Sequence, residues 1–284
     1  MSISRRSALA GSLGTTAAAL STAWSTPSAD ASTTPIPGVG AWAGVDQVSN
    51  DLANSQAHWY YTWAPNHEWI TTPTGCEFVP MIWGQRDLTS SALSQAKSNG
   101  RILLGFNEPD VPTQANMSVE VALDAWPKLQ GTGMTLGAPA VSSNAATPGG
   151  WLDKFMSGVR SRGYRVNFIP LHWYMSADLW SNYSTQRAVS ILQQYLQATY
   201  NRYKLTIWLT EFSLIWFDGS TPRAESSSVQ SAFMSAANSM MATLPYVQRW
   251  AWFSLTPFNN ATPAALYDNH GNITATGTKF QSIA

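Results

Sequence analysis

The stretch Ile102-Leu103-Leu104-Gly105-Phe106-Asn107-Glu108-Pro109-Asp110 sets the reading of this chain. Its first five residues are uncharged and apolar in an unbroken run, as strands covered on both faces of a parallel sheet are. The run stops on a carboxylate. Leu205-Thr206-Ile207-Trp208-Leu209-Thr210-Glu211-Phe212 repeats the pattern, and the two glutamates stand 103 residues apart. Working outward, short β-branched or aromatic runs recur at Val39–Gly44, Trp59–Ala64, Phe78–Gly84, Thr135–Val141, Asn167–Tyr174 and Arg249–Leu255, giving eight candidate strands in all. Segments of helical length lie between most of them. Ser181–Tyr203 carries Ala188, Ile191, Leu192, Tyr195, Leu196 and Tyr200 on one stripe. Ser118–Gln130 opens on a capping serine, and Ser226–Thr243 aligns Val229, Phe233, Ala236 and Met240. Pro65–Glu77 is broken by Pro73 and Gly75, has no stripe, and reads as a loop. The pattern predicts an α/β fold: a single (β/α)8 TIM barrel over residues 38–284, distorted by a short or missing helix between strands two and three. A doubly wound open sheet is disfavoured, because no Gly-x-Gly-x-x-Gly turn follows the first strand.

Composition narrows the ligand. The 284 residues hold 16 Lys+Arg and 16 Asp+Glu, a formal net charge of zero, and charged residues are only 11% of the chain. Soluble domains ordinarily carry about 25%. In their place stand 34 aromatics, 14 of them Trp. Phosphate binding needs clustered Lys and Arg, so nucleic acid is excluded as a partner. No apolar run reaches the ~20 residues of a membrane span. The single cysteine, Cys76, allows no internal disulfide and no Cys-rich metal centre. His58, His67, His172 and His270 show no metal-ligand spacing, so no metal and no cofactor are expected. What remains is a neutral protein, expected to be a monomer, with rings to offer a neutral, flat-faced ligand.

Residues 1–31 read as an export signal. Arg5-Arg6 precede a small-residue stretch from Ala8 to Ala23, and Ala29-Asp30-Ala31 gives a cleavage pattern. Ser4-Arg5-Arg6-Ser7 points to the twin-arginine route of bacteria, and hence to a secreted protein. Ser32–Pro37 reads as a short linker. Cleavage after Ala31 leaves 253 residues, close to the ~250 of one barrel.

In a barrel, polar residues at the C-terminal ends of strands carry the chemistry. The chain has six glutamates, and two of them, Glu108 and Glu211, close apolar strands that count as the fourth and seventh. Facing carboxylates are what glycosidic bond cleavage requires: one protonated to serve the leaving oxygen, the other ionised to attack the anomeric carbon or activate a water. Read apart, Glu108 is also an ordinary helix-initiating carboxylate and Glu211 an ion-pair partner at a strand end. Trp42, Trp63, Trp83 and Trp252 fall near the ends of strands one, two, three and eight, and Trp216 in the loop after strand seven. There they can stack on sugar faces, although core packing claims most Trp.

Gly105-Phe106-Asn107-Glu108-Pro109-Asp110, Leu171-His172-Trp173-Tyr174 and Trp208-Leu209-Thr210-Glu211-Phe212 together resemble glycoside hydrolase family 128, the clan A catalytic-core domain that cleaves β-1,3-glucans. The similarity runs through the whole mature domain. The resemblance implies a retaining endo-β-1,3-glucanase acting on a neutral β-glucan, with Glu108 as acid/base and Glu211 as nucleophile. It also implies that Asn107 binds the sugar 2-hydroxyl, that Tyr174 donates to Glu211, that His172 meets sugar or carboxylate, and that Trp252 stacks beneath the cleaved sugar. Other β-glycans, or a glucan-binding protein without activity, are the competing readings.

Overall fold

The computed structural model describes residues 34–44, 46–217, 221–259 and 261–284. The export-signal reading of residues 1–31 lies outside them. In chain order the elements are β1 (Ile36–Gly40), α1 (Val48–Ser55), β2 (Trp59–Tyr61), β3 (Glu77–Phe78), α2 (Ser90–Asn99), β4 (Ile102–Leu103), α3 (Val119–Gln130) and β5 (Thr135–Leu136). There follow α4 (Trp151–Ser161), β6 (Phe168–Trp173), α5 (Ala177–Ser181), α6 (Thr185–Tyr203), β7 (Thr206–Phe212), β8 (Ile215–Trp216), β9 (Arg223–Ala224), α7 (Ser227–Met241), β10 (Val247–Trp252) and α8 (Ala275–Gln281).

The fold is α/β with a parallel sheet, as expected, but a regular closed barrel ladder is not present among the described residues. Six strands pair in the order β3-β2-β1-β10-β7-β6, and β4 pairs with β5 in a separate parallel sheet. Single parallel bridges, Met81 to Leu104 and Gly137 to Phe168, link the small sheet to both edges of the large one. β8 and β9 form an antiparallel pair. β1 starts at Ile36, so Ile36 and Pro37 belong to the sheet and not to a linker.

Among the described residues, α2, α3, α5, α6 and α8 start on a serine or threonine whose side chain caps the first turn. Ser118 accepts from the Val121 N–H at the head of α3, as the sequence predicts. The helix expected over Ser181–Tyr203 is α6, which starts at Thr185; the short α5 lies before it and reaches only Ser181. Ser184 caps α6 by accepting from Arg187 N–H, and the Arg187 guanidinium reaches back to Asp178 of α5 at 2.5 Å and to the Asn182 carbonyl at 3.1 Å. The segment between β2 and β3 has no helix, as expected. Asn66 ties it to Gln95 of α2 at 2.8 Å, and the Thr71 N–H to Ser49 of α1 at 3.0 Å.

Both faces of the large sheet are buried. Outward side chains such as Ile169, Leu209, Phe212, Trp250 and Trp252 pack with Leu192, Leu196 and Phe233 of the helices. Inward side chains Trp59, Tyr61, Met81, Leu104, Phe168, Trp208 and Ala251 make a second core. Beneath it, the Arg249 guanidinium lies 4.2 Å from the Trp208 ring centroid and 2.6 Å from Glu77.

The register of β7 carries one irregularity that matters for the site. Leu171 of β6 pairs with Leu209, but the next residue, His172, pairs with Glu211. On the other side Trp250 pairs with Leu209 and Trp252 with Phe212. Thr210 is thus an inserted residue, a β-bulge. Strand side chains alternate between faces, so one inserted residue swaps the faces of all that follow. Leu209 faces the helices; without the insertion Glu211 would face them too.

Candidate active site

Glu211 sits at the C-terminal end of β7, 5% exposed, with its carboxylate turned inward by the bulge. Three donors meet it. The Tyr174 hydroxyl donates to Oε2 at 2.6 Å, and the Trp63 indole N–H to Oε1 at 2.8 Å. The Tyr61 hydroxyl lies 3.1 Å from Oε1 and 3.0 Å from the Thr210 carbonyl oxygen, and donates between them. Burial raises the Glu211 carboxyl above the usual carboxylate range and the neighbouring Glu108 adds to this, against the pull of His172, Tyr174 and Trp63. Burial and the Glu211 charge also push the Tyr61 and Tyr174 hydroxyls well above their ordinary values, so both remain donors.

Glu108 arrives differently. Its backbone is left-handed, φ +43°, a conformation that costs a non-glycine residue on the order of 1–3 kcal/mol. Bonds on both sides hold it there: its N–H donates to the Ala140 carbonyl at 2.7 Å, and its own carbonyl accepts from Val111 at 3.1 Å. Asp110 pins the neighbouring loop, accepting from Ser142 N–H at 3.0 Å and Ser142 Oγ at 2.8 Å.

His172 stands between the carboxylates. Nδ1 is 2.8 Å from Glu108 Oε1. Nε2 is 3.4 Å from Glu211 Oε1, a charge contact, and has no hydrogen-bond partner among the described residues. Burial alone would lower the imidazole pKa; the Glu211 charge, the Glu108 hydrogen bond and the Glu108 charge together outweigh it and raise it. One atom each from Glu108, His172 and Glu211 lies within 4.8 Å of the others, which is also the spacing of a metal site. Here Nδ1 and both Glu211 oxygens already carry hydrogen bonds, so the trio is arranged to handle protons.

A cleft of about 1280 Å³ opens over this pair. Trp42, Trp63, Phe217, Phe253 and Phe258 form one contiguous group of rings in its lining, which also includes Gln114, Ser142, Ser143, Asn144, Tyr195, Trp83 and Asn107. Among the rings Trp42 and Trp63 lie 5.6 Å apart, and Phe253 is 5.8 Å from each. Asn107 donates from Nδ2 to Gln114 at 3.4 Å, while its buried Oδ1 has no partner among the described residues.

The structure therefore brings together Glu108, Glu211, Asn107, His172, Tyr174, Trp42, Trp63 and Trp83. Two expected residues are elsewhere. Trp252 is 0% exposed, donates to the Ala264 carbonyl at 2.7 Å, and packs 5.0 Å from Phe212 on the helix side of the sheet. Strand alternation explains this: Trp250 and Trp252 share the outer face, and Phe253 is the residue that lines the cleft. Trp216 is half-buried outside the cleft lining, 5.7 Å from Trp180 and under the Arg223 guanidinium at 4.1 Å. Sequence reasoning missed Tyr61, Gln114 and Phe253. Tyr61 was within reach, since it stands two positions before Trp63 on the same strand face.

Facing carboxylates under a neutral, aromatic-walled cleft on a parallel α/β sheet define a glycoside hydrolase. The family model for the glycosyl hydrolase catalytic core matches residues 39–280. The chain belongs to that family, glycoside hydrolase family 128. It is similar to a subgroup I endo-β-1,3-glucanase of the family from Amycolatopsis mediterranei, solved in complex with laminarihexaose: 49% identity, 89% of this chain and 100% of that one, TM-score 0.79. A subgroup II endo-β-1,3-glucanase from Sorangium cellulosum is 26% identical over 87% of this chain and 98% of its own, TM-score 0.72. Among curated proteins, alkali-sensitive linkage protein 1 of Schizosaccharomyces pombe is 30% identical over 215 residues, 72% of this chain. The chain spans 36% of that relative's length.

Proposed function

We propose that this protein is a secreted, retaining endo-β-1,3-glucanase that works as a monomer, with Glu211 as nucleophile and Glu108 as acid/base. In the first step a Glu211 oxygen attacks the anomeric carbon, the glycosidic C–O bond breaks, and Glu108 gives its proton to the departing oxygen. In the second, water attacks the same carbon, Glu108 takes the water's proton, and the glycosyl–Glu211 ester bond breaks. Asn107 Oδ1 accepts from the sugar 2-hydroxyl. The observation that carries this reading is the closeness of the two carboxylates, oxygens within 4.8 Å and joined through one imidazole. Inverting enzymes hold theirs roughly 6.5–9.5 Å apart to admit a water. Tyr174, Trp63 and Tyr61, all donating to Glu211, favour it as the group that carries charge. The β-1,3 linkage comes from the family relatives. The bridges at Met81–Leu104 and Gly137–Phe168 support reading the two parallel sheets as one closed, distorted (β/α)8 barrel with the cleft at its C-terminal mouth.

The test is to incubate the purified protein with a linear β-1,3-glucan and resolve the soluble products over time. A ladder of oligosaccharides that requires both Glu108 and Glu211 is expected. Retention on insoluble glucan without products would replace the enzyme with a binding protein.

A further inference from the structure

We infer that Trp63 is a positioning residue for the nucleophile, its indole N–H fixing the Glu211 carboxylate while its ring forms part of the cleft wall. This rests on reading Glu211 as the nucleophile. The N–H donates to Oε1 at 2.8 Å and the Tyr174 hydroxyl to Oε2 at 2.6 Å, so each oxygen has its own donor and the plane of the carboxylate is set. A ring used only as a stacking platform needs no such edge contact.

The backbone and its neighbours enforce that placement. Trp63 is left-handed, φ +57°, an uncommon state for a bulky residue and one that persists only where the surroundings over-determine it. Those surroundings include three rings, Tyr61 at 4.7 Å, Trp42 at 5.6 Å and Phe253 at 5.8 Å. They also include Gly40 of β1. A Cβ there would stand 2.6 Å from Trp63 Cη2 and 3.0 Å from Cζ2, so the indole lies against bare backbone. The ring cannot turn its N–H away without leaving that seat. Gly40 therefore belongs to the same device, and any side chain at position 40 displaces the donor from Oε1.

Trp63→Phe keeps a ring and removes the donor. On a laminari-oligosaccharide, kcat is expected to fall about tenfold, the size of one charge-assisted hydrogen bond, with KM little changed. A carboxylate that loses a donor holds its proton more tightly, so the acid limb of kcat/KM moves up by about one pH unit. Gly40→Ala retains the indole but pushes it aside, and should shift the limb in the same direction. A third readout needs no turnover. In protein carrying 15N-labelled Trp, the Trp63 indole N–H resonance should titrate with Glu211 and move when Glu211→Gln removes the charge. An unmoved acid limb in Trp63→Phe, or an indole resonance indifferent to both pH and Glu211→Gln, overturns the inference. If the unaltered protein cleaves no β-1,3-glucan, the proposed function fails on its own, and the resonance still decides whether the N–H holds Glu211.

Discussion

At the end of β4 the backbone turns Glu108 into the cleft through one left-handed residue, braced by Ala140 and Val111. At the end of β7 an inserted residue, Thr210, moves Glu211 from the helix side of the sheet to the inner side. The surroundings differ as much as the backbones. Glu211 receives Tyr174, Trp63 and Tyr61 and is almost wholly covered, whereas the one side chain bonded to Glu108 is His172, and its carboxylate is more open to the cleft. That contrast fits the proposed division of labour, in which the carboxylate surrounded by donors holds charge and the more open one, beside His172, gives and takes a proton. Identical side chains thus stand in different settings.

Breaking the β7 end should cost most. Glu211→Ala is expected to lower kcat on β-1,3-glucan on the order of 10⁴-fold or more. Added azide should restore turnover and give an inverted, α-configured glycosyl azide, read by NMR; a retained β-azide would reverse the two roles. Glu108→Ala should cost less, roughly 10²–10⁴-fold. On an aryl glycoside with a good leaving group its kcat/KM should be nearly unchanged, while kcat stays low for want of the base in the second step. Azide should restore kcat with a retained product. Equal losses on glucan and aryl substrate would break the contrast.

Tyr174→Phe sharpens the comparison without abolishing it. Losing one donor should reduce kcat/KM about tenfold and move the acid limb of its pH profile upward, measured on a soluble oligosaccharide. The same change should leave the product's anomeric configuration untouched.

The smallest effect concerns the shared neighbour. Because the folded state raises the His172 pKa, His172 contributes stability that is fully present below its unfolded value, about 6.5. That contribution is lost as pH rises through the raised value. The wild-type melting temperature should therefore fall across that window. His172→Asn should melt lower in acid, by about 1.5–3 kcal/mol of lost hydrogen bonding to a charged group, and lose this component of the slope. A slope identical to wild type would show that the imidazole is neutral between the carboxylates.

Much of this site was legible because apolar strands that end on glutamate are unusual in a chain with six glutamates. The motif at His172 and Tyr174 was readable from simple alternation, and both side chains do share a face. Alternation alone would have turned Glu211 outward. It holds only while register is regular, and nothing in Leu209-Thr210-Glu211 announces the bulge, which depends on pairing with both β6 and β10. Trp252 was expected in the cleft from its place near the end of the last strand and from the family resemblance, yet alternation turns it outward and leaves Phe253 to line the cleft. The start of α6 was written in Ser184, a capping residue just ahead of the stripe that opens at Ala188.

The stacked Trp208 and Arg249 beneath the inner core have a consequence for how a polymer is handled. Trp59, Phe168 and Trp208 fill the space below the carboxylates, and the Arg249–Glu77 pair closes it on the far side. Under the proposed activity, a glucan chain lies across the cleft and does not thread through the protein, and both ends created by a cut leave from the side they entered.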